Sequence, residues 1–204
     1  MIGSRLLRCL HGRLVFRRRA LRLARAVGRV LPSTGTVLDV GCGDGLVAAR
    51  LAAQRPGLSI VGIDVAARPT CHVPMALYDG MSIPAADGAV DVALVVDVLH
   101  HVPTLEATFA EAVRVSRGSV IVKDHVCNGR LGRWVLRFMD WVGNRPHGVD
   151  PFARYLGRGE WEDLWSRLGL RLESFDDRLR LYPFPFSLVF GRRLHFLAVL
   201  SRET

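Results

Sequence analysis

The residues best placed by type and spacing to do chemistry lie in Val37-Leu38-Asp39-Val40-Gly41-Cys42-Gly43-Asp44-Gly45. An apolar run closes on an acid, glycines follow at alternate positions, and a helix-forming stretch from Leu46 to Gln54 begins. Glycines at such a junction permit positive φ and close approach of a ligand to the backbone, and the free N–H groups of the helix face whatever sits above the turn. Asp64 closes the next apolar run about twenty residues on, where a carboxylate can accept both hydroxyls of a ribose. The pattern asks for a nucleoside-containing ligand. It is not the dinucleotide fingerprint, which needs a glycine where Leu46 stands.

A second group of reactive side chains follows two later apolar runs. His100 and His101 come after Val90–Val96, and Asp124 and His125 after Ser119–Lys123, with His147 and Tyr155 further on. His101 and His125 follow their strands closely and are the catalytic candidates. His11, His72 and His195 read as structural, away from the site. Residues 126–157 mix Trp134, Phe138, Met139 and Trp141 with Asp140, Asn144, His147 and Tyr155. Apolar walls with a few polar anchors suit an aromatic or lipid-like small molecule. Cys42 reads as a small residue filling the glycine loop, and Asp91 as a strand-start turn residue.

These residues need a scaffold, and the chain's rhythm supplies one. Thr36–Val40, Leu58–Asp64, Met75–Tyr78, Val90–Val96 and Ser119–Lys123 read as strands, alternating with helices at 46–54 and 104–115. The stretch Ala66–Thr70, with Pro69 and Pro74 in the same gap, replaces the helix that would usually join the second and third strands. Helices at 130–142 and 160–168 and strands at 171–176 and 195–200 complete the order. Strands alternating with helices give an α/β protein with a mostly parallel sheet, whose ligands bind at the carboxyl ends of the strands. Ahead of it, Ala20, Leu23, Ala24, Val27, Val30 and Leu31 recur at helical spacing, with Arg18, Arg22, Arg25 and Arg29 on another face.

Composition limits the classes open to it. The chain has 204 residues, half of them apolar, and its net charge is 28 − 19 = +9. Residues 1–38 hold nine arginines and no acid, so the remaining residues are neutral and the charge belongs to the N-terminal segment. The division is therefore 1–34 as a basic arm and 35–204 as the domain, with 126–157 as a lid over the acceptor site. An anionic membrane surface is the partner the arm suits, and nucleic acid is disfavoured by the neutral domain. No apolar run reaches the roughly 20 residues of a membrane span. Cys9, Cys42, Cys71 and Cys127 have neither zinc nor disulfide spacing, so no metal is expected and a reducing cytoplasm fits, with peripheral association at the membrane.

With Asp39, the G-x-G-x-G loop, Asp64, Asp79-Gly80-Met81 and Asp97-Val98-Leu99-His100-His101-Val102 in order, the chain resembles the class I S-adenosylmethionine (SAM)-dependent methyltransferases, the quinone-biosynthesis group most closely. The resemblance implies a Rossmann-like seven-stranded sheet with its last strand antiparallel and helices on both faces. It implies that SAM is the cofactor and S-adenosylhomocysteine the product. The loop Gly41, Cys42, Gly43 and Gly45 with Asp39 would hold the methionine end, and Asp64 with Val65 the ribose. Asp79, Gly80 and Met81 would hold the adenine, and Asp97 would lie beside the sulfonium. Asp124, Trp134, Asp140, Asn144, His147 and Tyr155 would then line the pocket of a small-molecule acceptor. An RNA or protein methyltransferase and a SAM-binding protein without catalysis remain the alternatives.

Overall fold

A computed structural model describes residues 18–144, 153–184, 186–191 and 193–203, with 141–144 as backbone alone. The strands are β1 (Gly35–Val40), β2 (Leu58–Asp64), β3 (Met75–Leu77), β4 (Val90–Val96), β5 (Ser116–His125), β6 (Leu170–Asp176) and β7 (His195–Arg202). They form one seven-stranded sheet in the order β3-β2-β1-β4-β5-β7-β6. β1 to β5 pair in parallel, and β7 runs antiparallel to both β5 and β6. Strand order reverses between β1 and β4, which opens a crevice above their carboxyl ends.

Both faces of the sheet are buried, which is why its central strands read as continuous apolar runs. Val92 and Leu94 of β4 pack with Val37, Ile60 and Ile121 on one face. Ala93 and Val95 pack with Leu38, Ile63 and Val122 on the other. The first face is covered by α1 (18–30) and α2 (Leu46–Gln54), the second by α3 (Leu105–Val115) and α5 (Arg158–Arg167). α1 buries Leu23, Ala24 and Val27 and exposes Arg18, Arg25 and Arg29, as its periodicity requires. At roughly 1.5–3 kcal/mol for each buried Leu or Val, Leu23, Val27 and Leu31 hold this helix on the domain despite its charge.

No helix joins β2 to β3, as the prolines there indicate. β5 is longer than the sequence suggests and carries His125 as its last residue. Two short elements have no sequence signal: a 3-10 turn at Leu99–His101 and α6 (Ser187–Phe190), which packs against α4 (Gly129–Asn144). The turn forms because the buried Asp124 carboxylate accepts the Leu99 N–H at 3.0 Å. Among the described residues no helix is long and apolar enough to cross a membrane.

Candidate functional site

The loop after β1 is built for close approach. Gly41, Gly43 and Gly45 all have positive φ (73°, 61° and 72°). A Cβ on Gly41 would overlap the Val98 side chain, so that glycine serves packing between the β1 and β4 loops. A Cβ on Gly43 would meet nothing within 4 Å, so its backbone faces open space. Asp64 fastens the loop: its carboxylate accepts the Gly43 N–H at 2.8 Å and the Ala66 N–H at 3.0 Å.

Asp39 differs from Asp64. It is buried, with 3% of its surface exposed, and among the described residues no hydrogen bond or ion pair reaches its carboxylate. Burial, with the charge of Asp64 nearby, pushes its pKa up to about 7. A buried carboxylate without donors is a costly arrangement that a bound cation relieves. Cys42, whose Sγ lies where a Gly62 Cβ would sit, has its pKa raised to about 12 by burial and the two acids, so it is an inert thiol.

Beyond Asp64, Val65, Leu77 and Met81 are more than half exposed at the ends of β2 and β3. Gly80, with φ 80°, lies against Val65. Asp79 forms an Asx turn, accepting the Met81 and Ser82 N–H groups at 2.8 Å each, and these bonds lower its pKa. Exposed apolar side chains beside a ribose-competent acid are suited to covering a flat heterocycle.

Across the crevice, the ends of β4 and β5 carry a buried polar cluster. Asp97, a non-glycine residue at φ 56°, accepts Arg19 at 2.6 Å and the fully buried Lys123 ammonium. These two cations hold the Asp97 carboxyl well below the ordinary value in spite of its burial. Asp124 accepts His100 Nδ1 at 2.5 Å and the His125 N–H at 2.7 Å. Burial opposes charge on His100, and the Asp124 carboxylate outweighs it, so His100 titrates above the ordinary value. Burial and the neighbouring His100 lower His125 to about 4, which leaves it neutral at pH 7. The Tyr155 ring stacks on His100 at 5.8 Å between centroids and the His101 ring lies tilted against it at 3.9 Å, and Tyr155 Oη donates to Asp140.

The expected acceptor residues Asp124, Asp140 and Tyr155 and the expected bases His101 and His125 thus come together, with His101 and Asp140 the partly exposed members. Expectations change for Trp134 and His195. Trp134 is two-thirds exposed on the face of α4 turned away from Leu136, stacked on Phe138, and does not wall the cluster. Asp97 is ion-paired to Arg19 and Lys123 at the end of β4. His195 belongs to the cluster: its ring lies 4.7 Å from that of His125 and its Nδ1 3.3 Å from Lys123 Nζ. The antiparallel course of β7 sets its first residue beside the last of β5. The His147 expectation and the Asn144 side chain lie outside the described residues. Arg19 is the member that sequence reasoning did not name, and His100, named there beside His101, is the ring that Asp124 holds.

The comparisons agree with this fold. A family model described as a methyltransferase domain matches residues 13–174. An uncharacterized methyltransferase of Mycobacterium sp. (strain JLS) is 33% identical over 152 residues, 71% of this chain and 55% of that protein. This chain therefore spans about half the length of its mycobacterial relatives. A ubiquinone biosynthesis O-methyltransferase of Pectobacterium atrosepticum is 26% identical over 170 residues, covering 72% of this chain and 70% of that one. A SAM-dependent methyltransferase of Thermotoga maritima superposes with a TM-score of 0.67 at 21% identity, covering 97% of each chain. With the family model spanning most of the domain, this chain belongs to the methyltransferase-domain family.

Proposed function

We propose that the chain binds SAM at the glycine loop and transfers its methyl group to a small apolar, aromatic or lipid-like acceptor held over the His100–His101–Tyr155 cluster. The observation that carries this reading is the buried, donor-free Asp39 carboxylate beside the open backbone of Gly43. When bound, SAM supplies an electrophilic methyl group on a sulfonium and a cationic ammonium group.

The chain's own residues divide the work. Asp39 and the Gly41–Gly45 backbone take the cationic amino-acid end, and Asp64, already holding the loop, keeps lone pairs for the ribose hydroxyls. Val65, Gly80 and Met81 cover the base, and Asp79 shapes their turn. On the acceptor side, in-line displacement needs an oriented nucleophile and a site closed to water. Asp124 orients His100, and Asp140 and Tyr155 anchor polar atoms. His101 is the histidine in reach of an incoming hydroxyl and takes its proton. The O-methyltransferase named among the relatives supports an oxygen nucleophile. The basic segment 1–34 contacts an anionic membrane surface, a role supported by its charge alone.

Thermal unfolding tests the cofactor assignment. SAM or S-adenosylhomocysteine at about 100 times its Kd is expected to stabilise the protein by roughly 2.7 kcal/mol, with no response to NAD or NADP. Asp64→Ala is expected to abolish the response. Stabilisation by neither sulfur ligand overturns the assignment.

A further inference from the structure

The outer face of α4 is not accounted for by the site. Its inner face is spent on the fold: Val135 and Leu136 are buried with Tyr155 and Leu194, and Asp140 meets Tyr155. The outer face carries two parallel stripes at the same i, i+3, i+7 spacing. Arg130, Arg133 and Arg137 form one, and Leu131, Trp134 and Phe138 the other. Leu131 is 64% exposed and Trp134 66%. Next to α4, the segment around α6 exposes Phe184 at 78% and also Phe186 and Val189. A run of large exposed apolar side chains is unusual on a protein surface and marks an interaction site.

We propose that this face docks on an anionic lipid bilayer, with Trp134 and Leu131 entering the headgroup–acyl boundary and the arginine stripe meeting lipid phosphates. Charge decides the occupant. The only acid on α4 is Asp140, which faces inward to Tyr155, so the exposed side of the helix is purely cationic and apolar. Among the described residues no acidic side chain forms an ion pair with Arg130, Arg133 or Arg137. A second copy of this chain would bring three arginines against three, whereas an anionic bilayer satisfies both stripes at once: arginine with tryptophan and leucine on one helix face is the composition of an interfacial helix. The surface has its stripes in residues 130–138, apart in sequence from the basic segment 1–34. It lies on the helix whose inner side covers the acceptor cluster, so docking sets that cluster close to the bilayer. The inference goes beyond the proposed reaction and does not depend on it.

The test uses the full chain and vesicles of phosphatidylcholine alone or mixed in equal parts with phosphatidylglycerol. Wild-type protein is expected to sediment with the anionic vesicles only, less so as salt rises. Acyl chains brominated near the headgroup are expected to quench part of its tryptophan fluorescence. Trp134→Phe keeps an apolar side chain and is expected to retain binding while losing that quenching. Arg130→Gln, Arg133→Gln and Arg137→Gln together are expected to weaken binding by about tenfold to about 150-fold, since each arginine near an anionic surface contributes about 1 kcal/mol. Thermal unfolding of both variants should match wild type, because all four side chains are exposed.

Quenching that persists in Trp134→Phe overturns the proposal, as does triple-variant binding equal to wild type. Concentration-dependent self-association abolished by Trp134→Ser, without vesicle binding, assigns the face to a second copy instead. Replacing Arg5, Arg8 and Arg13 by glutamine separates the terminal segment. Loss of all binding in that variant, with none in the α4 variants, overturns the role of α4. A protein that binds vesicles in this way but fails to respond to SAM leaves the docking surface standing and removes the cofactor assignment.

Discussion

Replacing Asp39 with asparagine is the most direct probe of the cofactor site, because it keeps shape and removes charge. Burial and Asp64 raise the Asp39 pKa from 3.8 to about 7. At about 1.4 kcal/mol per pH unit, ionised Asp39 costs the ligand-free fold about 4 kcal/mol above neutral pH. The sign follows from proton binding. Between the unfolded and folded values the native state holds the extra proton, so this group's contribution to stability falls as pH rises and levels off above about 7. The asparagine variant is therefore expected to be more stable than wild type, with an advantage about 1.4 kcal/mol larger at about pH 8 than at about pH 6. Urea unfolding at the two pH values reads this difference, and the asparagine amide's own contacts largely cancel from it. The same variant is expected to lose stabilisation by SAM, and wild-type affinity for SAM should weaken as pH falls below about 7 because the carboxyl must give up its proton. An advantage that does not change with pH, or a variant less stable than wild type at both, would falsify the claim that Asp39 is a donor-free carboxylate awaiting a cation.

The glycines separate packing from ligand access. Gly43→Ala is expected to fold with a loss of about 1–2 kcal/mol for its left-handed backbone and to bind SAM far more weakly, by calorimetry. Gly41→Ala is expected to be the more destabilised of the two in urea, because its Cβ overlaps Val98. Asp97→Asn strands Arg19 and Lys123 in the interior and is expected to lower stability by about 3–5 kcal/mol. Burial already lowers the Lys123 pKa, so that deficit should shrink as pH rises and the ammonium discharges. His101→Ala is expected to leave SAM binding intact and to reduce turnover of a hydroxyl acceptor about a hundredfold or more, read as a fall in kcat.

Much of the scaffold was legible because the central strands of a doubly covered sheet carry apolar runs, residues 92–96 of β4 and 120–122 of β5 among them, with glycine, proline or acid in the connecting segments. The loop from Asp39 to Gly45 and the acid at Asp64 are local in sequence, so their geometry followed from the residues themselves. The acceptor side was not local. Its cluster joins residues from α1, the β4 loop, β5, α4, the segment at 153–157 and β7, and no periodicity links Arg19 to Asp97 or His195 to Lys123. The antiparallel reversal of β7 moves His195 from the far edge of a parallel sheet to the site. Trp134 was misplaced for a related reason. Helical spacing tells which residues share a face of α4, and Leu131, Trp134 and Phe138 do share one, but only the packing of Val135 and Leu136 against Leu194 decides which face looks outward.

The two sides of the crevice differ in how their charges are matched, and that bears on the acceptor. The β1 side holds Asp39 and Asp64 with no cation between them. On the β4–β5 side Arg19 and Lys123 share the carboxylate of Asp97, while His100 lies between the carboxylates of Asp124 and Asp140. Arg19 Nε and His195 Nε2 are buried without hydrogen-bond partners among the described residues. Two buried nitrogens without partners, one on Arg19 and one on His195, favour an acceptor that carries an anionic oxygen. A charge-assisted hydrogen bond contributes about 1.5–3 kcal/mol, so an acceptor with a carboxylate is expected to exceed its methyl ester in kcat/KM by roughly tenfold to a hundredfold. Arg19→Gln should erase most of that preference while leaving stabilisation by SAM unchanged. Equal kcat/KM for acid and ester in the wild-type enzyme would mean that Arg19 and Lys123 serve only to hold α1 and the β4 loop together.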